Sequence, residues 1–192
     1  FKGSSLKAAL SQVSPLSSGL KLVLYSKSGV GDGRFSNNSW LQELPDPVTK
    51  ITWDNYVSVG PTYAEKQKIK EGDILRVKSG NFTLELPAHI QPGQHNDAVA
   101  IAVGYGRTKA GRVGNGVGGN AYPFAKADHG LISYSVGNVT VEKTGGVRKL
   151  ATTQQHGSME GREIIKETTL GEYKKNPASG NHKEGHIFSI WP

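Results

Sequence analysis

The sequence predicts an all-β fold with one or two short helices. Its apolar runs are short, and the clearest of them, residues 82–90, alternates apolar and polar side chains with the period of two that a half-buried strand requires. Turn-forming residues separate the runs, and the 192 residues include 25 glycines, well above the usual share of about 7%. Short strands, tight turns and one small helix are typical of a β-sandwich or a small β-barrel.

The first sixty residues alternate short structured segments with long polar connections. A short helix is expected at 5–10 and strands at 20–25, 48–53 and 56–59. The loop 26–39 is long for a compact domain, and such loops are usually functional or disordered. Residues 40–47 are predicted to follow an extended, turn-rich path, because two prolines flank Asp46.

The next segment opens with a small helix from Pro61 to about Gln67, because proline is favoured at a first helical position. Strands are expected at 74–78, 82–90 and 98–103, and the last is almost wholly apolar. A further hairpin is predicted from 131–136 and 139–142, because Gly137-Asn138 suits a two-residue primed turn.

These elements divide the chain into three parts. We interpret 1–19 as an upstream linker or helix remnant, 20–147 as the β domain, and 148–192 as an extended polar arm. Within the arm, only 169–173 is predicted to form a helical turn.

The composition excludes several kinds of site. The chain has no cysteine, which excludes cysteine-ligated iron–sulfur clusters, thiolate zinc sites and disulfides within it. The formal net charge is +7, but the basic residues are scattered and lack the aromatic-plus-basic stripe of single-strand binders, which disfavours nucleic acid. No stretch approaches the ~18 apolar residues of a membrane span. His182 and His186 have a metal-ligand spacing, but neighbouring glycines disfavour the helix that it would need.

The glycine-rich stretch 104–120 is the strongest candidate for ligand binding. Glycines let backbone N–H groups approach an anion closely, and Arg107, Lys109 and Arg112 add positive charge. The stretch does not open a helix and lacks the lysine-serine/threonine ending of a phosphate-binding P-loop. The alternative is a flexible surface loop, or a loop that another subunit orders. No G-x-S-x-G elbow and no nucleophile beside paired carboxylates occurs, so no catalytic residue is predicted.

Several segments together resemble one family. They are Trp-Leu-Gln-Glu-Leu-Pro-Asp-Pro at 40–47, Pro61-Thr62-Tyr63-Ala64, Ile69-Lys70-Glu71-Gly72-Asp73, Gln91-Pro92-Gly93, Gly104-Tyr105-Gly106 and Gly119-Asn120. Their order and spacing over residues 20–124 resemble the C-terminal molybdopterin-dinucleotide-binding domain of the dimethyl sulfoxide reductase superfamily, although Gln67-Lys68 stands where that family usually has Leu-Gly. The run 40–47 and the Gly-Arg-Val-Gly-Asn-Gly loop are similar, more narrowly, to the molybdopterin-oxidoreductase-like half of the large iron–sulfur subunit of alternative complex III.

The resemblance implies a double-psi β-barrel that closes over a pyranopterin-guanine dinucleotide without ligating its molybdenum. By position it implies eight cofactor-facing residues: Asn38, Trp40 and Gln42 in a first loop, and Gly104, Tyr105, Gly106, Arg107 and Asn120 in a second. Amides suit base edges, arginine suits phosphate and an aromatic ring suits stacking. We expect the two loops to meet at one end of the barrel and to form a shared site.

The narrower likeness leaves a second function open, a cofactor-free structural domain of a quinol-oxidising membrane complex. The partners implied are the remaining domains of the parent subunit and other subunits of a membrane electron-transfer complex, with no nucleic acid and no direct membrane span. The implied location is periplasmic or periplasm-facing, with the arm 148–192 leading towards an iron–sulfur half. A generic basic module for an anionic ligand explains the charge and the glycines but not the ordered motifs.

Overall fold

The computed structural model describes residues 3–11, 19–128, 130–153, 157 and 165–181. The chain divides into two compact units, Phe1–Thr153 and Gln154–Pro192. The strands of the first unit are β1 (Lys21–Tyr25), β2 (Val57–Val59), β3 (Asp73–Ser79), β4 (Phe82–Ile90), β5 (Ala98–Ala102), β6 (Lys126–Asp128), β7 (Leu131–Ser133), β8 (Ser135–Val136) and β9 (Thr140–Val147). Its helices are α1 (Gly3–Ser11), α2 (Ser39–Glu43) and α3 (Pro61–Lys66), with a 3₁₀ turn at Tyr122–Phe124. The predicted all-β class with few short helices is confirmed.

Seven strands form one mixed sheet in the order β8-β1-β5-β2-β4-β3-β9, and β6 and β7 form a separate hairpin. Two neighbouring pairs are parallel, β1 with β5 and β2 with β4, and the other pairs are antiparallel. The loops that follow β1 and β5 therefore leave the sheet at the same edge, which is where the candidate site lies.

The sheet curves back on itself. Its two outer strands, β8 and β9, are joined by only three residues, 137–139. Four chain steps span at most about 14 Å, whereas six strand spacings in a flat sheet amount to about 29 Å. A flat sheet is therefore impossible. No pairing between β8 and β9 occurs among the described residues, so closure into a double-psi β-barrel is not confirmed.

The core lies inside this curve. Apolar side chains from six strands, β1 to β5 and β8, form one buried cluster. Leu22, Val57, Leu75, Leu86 and Val99 in it are each at most 1% exposed. In the described part of this unit, the only helix longer than six residues is α1, and it buries none of its side chains. The sheet itself must therefore supply most of the cover for its apolar face, as expected for strands wrapped around a shared core.

The family-like motif after β2 builds a corner of the sheet. Pro61 starts α3, and the chain reverses at Lys68, whose φ is +54°. The N–H of Ile69 then donates to the carbonyl oxygen of Ala64 at 2.8 Å, and both side chains enter the core. The carboxylate of Asp73 accepts from the N–H of Lys70 and from the Lys143 ammonium, each at 2.7 Å. These motif residues are structural.

The predicted hairpin of 131–136 with 139–142 is wrong. Leu131–Ser133 pairs with Lys126–Asp128, Ser135–Val136 pairs with β1, and β9 pairs with β3. The turn residue Asn138 does adopt a positive φ of +56°. It serves the passage from one edge of the curved sheet to the other, because longer-range pairing overrides the local turn signal.

Two other predicted segments differ from the structure. Residues 48–53 form a turn and one isolated bridge, Ile51 with Thr152, in place of a strand. The segment 40–47 begins as α2, because the side chain of Asn38 caps the helix by accepting from the N–H of Trp40 at 3.1 Å. The pair His182 and His186 lies outside the described residues.

The second unit contains α4 (Leu170–Lys175), close to the helical turn predicted at 169–173. Thr169 and Glu172 form a reciprocal capping box at its start. None of the helices in the described part of the chain has the length and apolar character needed to cross a bilayer.

Candidate functional site

The candidate site lies where the loops after β1 and β5 touch. A side chain on Gly104 would place its Cβ 2.7 Å from the Cα of Gly33, and the reciprocal distance is 2.8 Å. Both glycines have positive φ, +107° for Gly33 and +92° for Gly104. The buried hydroxyl of Ser36 donates to the carbonyl oxygen of Gly104 at 2.5 Å. Only glycine allows the two backbones to come this close.

Arginines surround this junction. The Arg107 guanidinium donates to the carbonyl oxygen of Gly33 and lies 3.5 Å from Oδ1 of Asn37. Arg34 forms a two-pronged ion pair with Asp32, with Nη2 to Oδ2 at 2.8 Å. This contact with the Arg34 guanidinium lowers the pKa of the Asp32 carboxyl to about 2. Both arginines are exposed, and Arg107 contacts the residue that precedes Arg34 in the first loop.

A cavity of about 650 Å³ opens beside the junction. It is lined by Arg34, Phe35, Asn37, Asn38, Ser39 and Trp40. Trp40 is 82% exposed and Phe35 is 51% exposed. Aromatic faces, amide groups and a guanidinium around one cavity suit a planar, hydrogen-bonding ligand that carries phosphate. We call this group of lining residues the α2 cavity.

The eight predicted residues take three kinds of position. Asn38 and Trp40 line the α2 cavity, and Arg107 contacts its lining residue Asn37. Gln42 and Tyr105 point into the protein, with 5% and 8% of each exposed. Gly104 and Gly106 act through the backbone, because a Cβ on either would clash, with Gly33 and with the N–H of Asn120 respectively. The exposed Asn120 accepts from the N–H of Tyr122 through its Oδ1 at 3.1 Å.

Gln42 connects α2 to the first loop. Its Nε2 donates to the carbonyl oxygen of Ser36 at 2.8 Å, whereas its Oε1 is buried without a hydrogen-bond partner. A buried acceptor left unpaired costs about 1–3 kcal/mol. This side chain therefore holds the loop in place at an energetic cost and does not face the cavity.

Sequence reasoning missed Asn55, which ties the glycine-rich stretch to the sheet. Its Nδ2 donates to the carbonyl oxygens of Ala102 and Gly119 at 2.8 Å each, and its Oδ1 accepts from the N–H of Gly119 at 2.9 Å. Asn55 is completely buried. A polar residue immediately before an apolar strand was the only available signal.

Lys27 was also missed. Its ammonium lies 4.4 Å from the ring centroid of Tyr56 and 5.5 Å from that of Tyr105, and it donates to the carbonyl oxygen of Asp54 at 3.1 Å. Burial lowers the pKa of Lys27 to about 8, with the carboxylates of Asp46 and Asp54 acting in the opposite direction. The ring faces stabilise the cation. Lys27 thereby links the first loop to the base of the second.

The described residues contain no cluster of three or more histidine, cysteine or acidic side chains that could hold a metal ion. The junction and the α2 cavity present guanidinium, amide and aromatic groups, which suit ligand binding.

Comparison with known proteins links this chain to one fold. No protein-family model and no curated protein matches the sequence. Among solved structures, acetylene hydratase from Pelobacter acetylenicus is similar, with a TM-score of 0.50 and 16% sequence identity over 65% of this chain. This chain shares the fold of a part of that enzyme. The match spans 18% of the length of acetylene hydratase.

Proposed function

We propose that this chain is a cofactor-binding-type domain of a molybdopterin oxidoreductase-like subunit in a bacterial electron-transfer complex. It closes over a pyranopterin-guanine dinucleotide as a double-psi β-barrel. Acetylene hydratase is a molybdopterin enzyme of the dimethyl sulfoxide reductase family. The fold similarity and the ordered motifs over residues 20–124 support the same superfamily for this chain.

One observation carries the proposal: the loops after the parallel strands β1 and β5 meet beside the α2 cavity. The residues there fit the nucleotide part of such a cofactor. Arg34 and Arg107 suit its phosphates, Asn37 and Asn38 suit a base edge, and Trp40 suits stacking. Gln42, Tyr105 and the glycines position these groups. When bound, the molybdenum of such a cofactor would supply redox chemistry to the parent protein, and the proposed role of this chain is to hold the nucleotide part.

The partners we propose are the other domains of the parent subunit and further subunits of a membrane electron-transfer complex, in a periplasmic or periplasm-facing position. We expect the isolated chain to have no redox activity. Turnover of artificial electron donors by the purified chain would contradict this assignment of roles.

A second candidate is a cofactor-free structural domain of a quinol-oxidising complex. Its support is that Arg34 and Arg107 already bind protein groups, and that Gln42 and Tyr105 are buried. In that case the loop junction serves only packing and subunit contact.

The deciding experiment is molybdenum and pterin analysis of the purified full-length protein. Stoichiometric pterin supports the first function, and its absence supports the second.

A second measurement is titration of the chain with guanosine 5′-diphosphate, monitored by tryptophan fluorescence. We expect Arg107→Ala to weaken binding about tenfold, because one charge-assisted phosphate contact is worth roughly 1.5 kcal/mol. Arg112→Ala, an exposed arginine of the same loop, is the matched control and leaves binding unchanged.

A further inference from the structure

A further cavity lies on the outer face of the sheet, the face turned away from the core. Its volume is about 370 Å³, within the range of about 300–1,000 Å³ that is usual for small-molecule sites. Residues of β1, β2 and β5 form its floor, and the loops at 46–49 and 91–94 contribute to its walls. It shares no lining residue with the α2 cavity. We call it the outer cavity.

The floor of the outer cavity is a row of three residues on neighbouring strands. Ala100 of β5 is in register with Val23 of β1 on one side and with Ser58 of β2 on the other. Side chains alternate between the two faces of a strand, and residues next to this row, such as Leu22 and Val99, enter the core. The row therefore points outwards. Because alanine and serine are small, a depression forms between the taller walls.

Ser58 places an unused polar group at this floor. The residue is 5% exposed, and its hydroxyl has no hydrogen-bond partner in the part of the chain that the structure describes. Polar side chains buried to this degree are normally hydrogen-bonded. Since Ser58 lines the cavity, its hydroxyl is available to a polar group of a ligand.

Asp46 contributes a carboxylate whose charge is not paired. Its Oδ1 accepts from the N–H groups of Val48 and Thr49 at 3.0 Å each, which holds the side chain in place. None of the ion pairs among the described residues includes Asp46. The ammonium groups of Lys27 and Lys50 donate instead to backbone carbonyl oxygens. Oδ2 of Asp46 is therefore open to a cationic ligand.

The remaining polar groups favour a ligand rich in hydrogen-bond donors. Nε2 of Gln94 donates to the carbonyl oxygen of Ala98 at 3.1 Å, and Nε2 of Gln91 donates to that of Pro92 at 3.2 Å. Across the described ranges neither amide oxygen has a partner, so each is a free acceptor. The ring of Tyr25 also lines the cavity, and no cation of the described chain lies over it. An aromatic face attracts an ammonium group.

We propose that the outer cavity binds a primary alkylammonium ion. The three N–H groups of such an ion match the carboxylate of Asp46 and the unpaired oxygens around it, and the alkyl chain packs against Val23, Val48 and Ala100. An anion is disfavoured, because the cavity holds an unpaired carboxylate and free acceptors. The inference goes beyond the proposed function and does not depend on it, since none of these residues lines the α2 cavity.

The test is calorimetric titration of the 192-residue chain with hexylammonium chloride at neutral pH, with 1-hexanol as the uncharged ligand of the same chain length. Asp46→Asn keeps a side-chain oxygen that can accept from Val48 and Thr49 but removes the charge, so it should weaken hexylammonium binding roughly tenfold. Glu142→Gln is the matched control. It removes an exposed carboxylate from β9, which contributes nothing to the cavity, and should leave binding unchanged.

Ser58→Ala is the variant least able to disturb the fold. It removes none of the hydrogen bonds made by the described residues, so it is expected to keep the unfolding midpoint of the unmodified chain. It should weaken hexylammonium binding about threefold, through loss of one hydrogen bond at the floor of the cavity. Unchanged affinity in both Ser58→Ala and Asp46→Asn overturns the proposal.

The two ligands and one further probe distinguish the remaining outcomes. If hexylammonium does not bind at millimolar concentration, or if 1-hexanol binds as tightly, the proposal is wrong. Nα-acetyl-lysinamide carries the same ammonium group on a lysine side chain. Equal binding of this probe and hexylammonium assigns the cavity to a lysine of a partner protein, whereas binding of hexylammonium alone assigns it to a free amine.

Discussion

Lys27 illustrates how one buried charge ties separate segments together. The residue is 6% exposed, and its ammonium contacts Tyr56, Tyr105 and the backbone of Asp54. Cation–π contacts and one hydrogen bond replace only part of the water that a lysine loses on burial. The fold therefore retains an unfavourable charge in order to hold the first loop against the second.

This arrangement predicts a pH dependence of stability. The folded-state pKa of Lys27 is about 8, below the ordinary value of 10.5. Below pH 8 Lys27 is protonated in both the folded and the unfolded state. Between pH 8 and about 10.5 it loses its proton in the folded state but keeps it in the unfolded state. The free energy of unfolding should therefore rise by roughly 1.5 kcal/mol between pH 8 and pH 9.5. Urea titrations of the chain and of Lys27→Met at several pH values measure this change. An equal change in the free energy of unfolding with pH in both proteins would refute the assignment.

Lys68 is a second residue held in an unfavourable state, because its backbone conformation is one that favours glycine. Its φ of +54° lies in the left-handed region, where the resembled family usually has glycine. Lys68→Gly should raise the free energy of unfolding by about 0.5–1 kcal/mol, because an L-residue costs about 1–2 kcal/mol there and glycine gives back part of this as chain entropy. Lys66→Gly, at the last residue of α3, is the control and should lower stability. Equal losses in the two variants would contradict the prediction.

At the scale of elements, strand positions were predictable and strand partners were not. The alternation of β4 and the apolar run of β5 follow from burial of one or both faces, and both strands lie close to their predicted bounds. β8 pairs with β1 and β9 pairs with β3, both far along the sequence, whereas β7 pairs with its neighbour β6. Gly137-Asn138 therefore gave a misleading hairpin signal. The helix α2 was not predicted, because the prolines that follow it indicated an extended path, although Asn38 is a residue type that caps helices.

The candidate site was predictable only in part. Glycines and arginines in the second loop indicated a binding surface, and the structure brings Gly104 and Arg107 against the first loop. The partners Gly33 and Ser36 could not be chosen from many similar residues in 26–39. Asn55 and Lys27 act from buried positions that no sequence motif marks.

The close approach of the two loops predicts unequal effects of two similar glycine substitutions. Gly104→Ala introduces a Cβ 2.7 Å from Gly33 at a φ of +92°, whereas Gly111→Ala has a φ of +86° and no neighbour within 4 Å. Both alanine variants are destabilised by the positive φ, and only Gly104→Ala must also push the two loops apart. We expect Gly104→Ala to be the less stable by at least about 1 kcal/mol in chemical denaturation. Equal unfolding midpoints for the two variants would contradict this prediction, because they would show that the loops separate without loss of stability.

At the scale of the molecule, the short connection between β8 and β9 decides the shape of the sheet. Three residues cannot bridge a flat sheet of seven strands, so the two edges must approach each other. The parallel pairing of β1 with β5 brings their carboxyl ends to one rim, where the loops beside the α2 cavity meet. The same curvature lets residues that follow β9 return to the segment before β2.

That return predicts where the first unit ends. The sequence places a boundary at 147, but Arg148 donates from its N–H to the carbonyl oxygen of Gly72 at 2.8 Å, and Leu150 is 5% exposed against Ile51 and Tyr56. A chain ending at Val147 should be roughly 2–4 kcal/mol less stable than one ending at Thr153, since it loses one buried leucine and several backbone hydrogen bonds. Denaturant titration of both chains measures the difference. Leu150→Ala in the longer chain should reproduce much of the loss, and equal midpoints for the two truncations would place the boundary at 147.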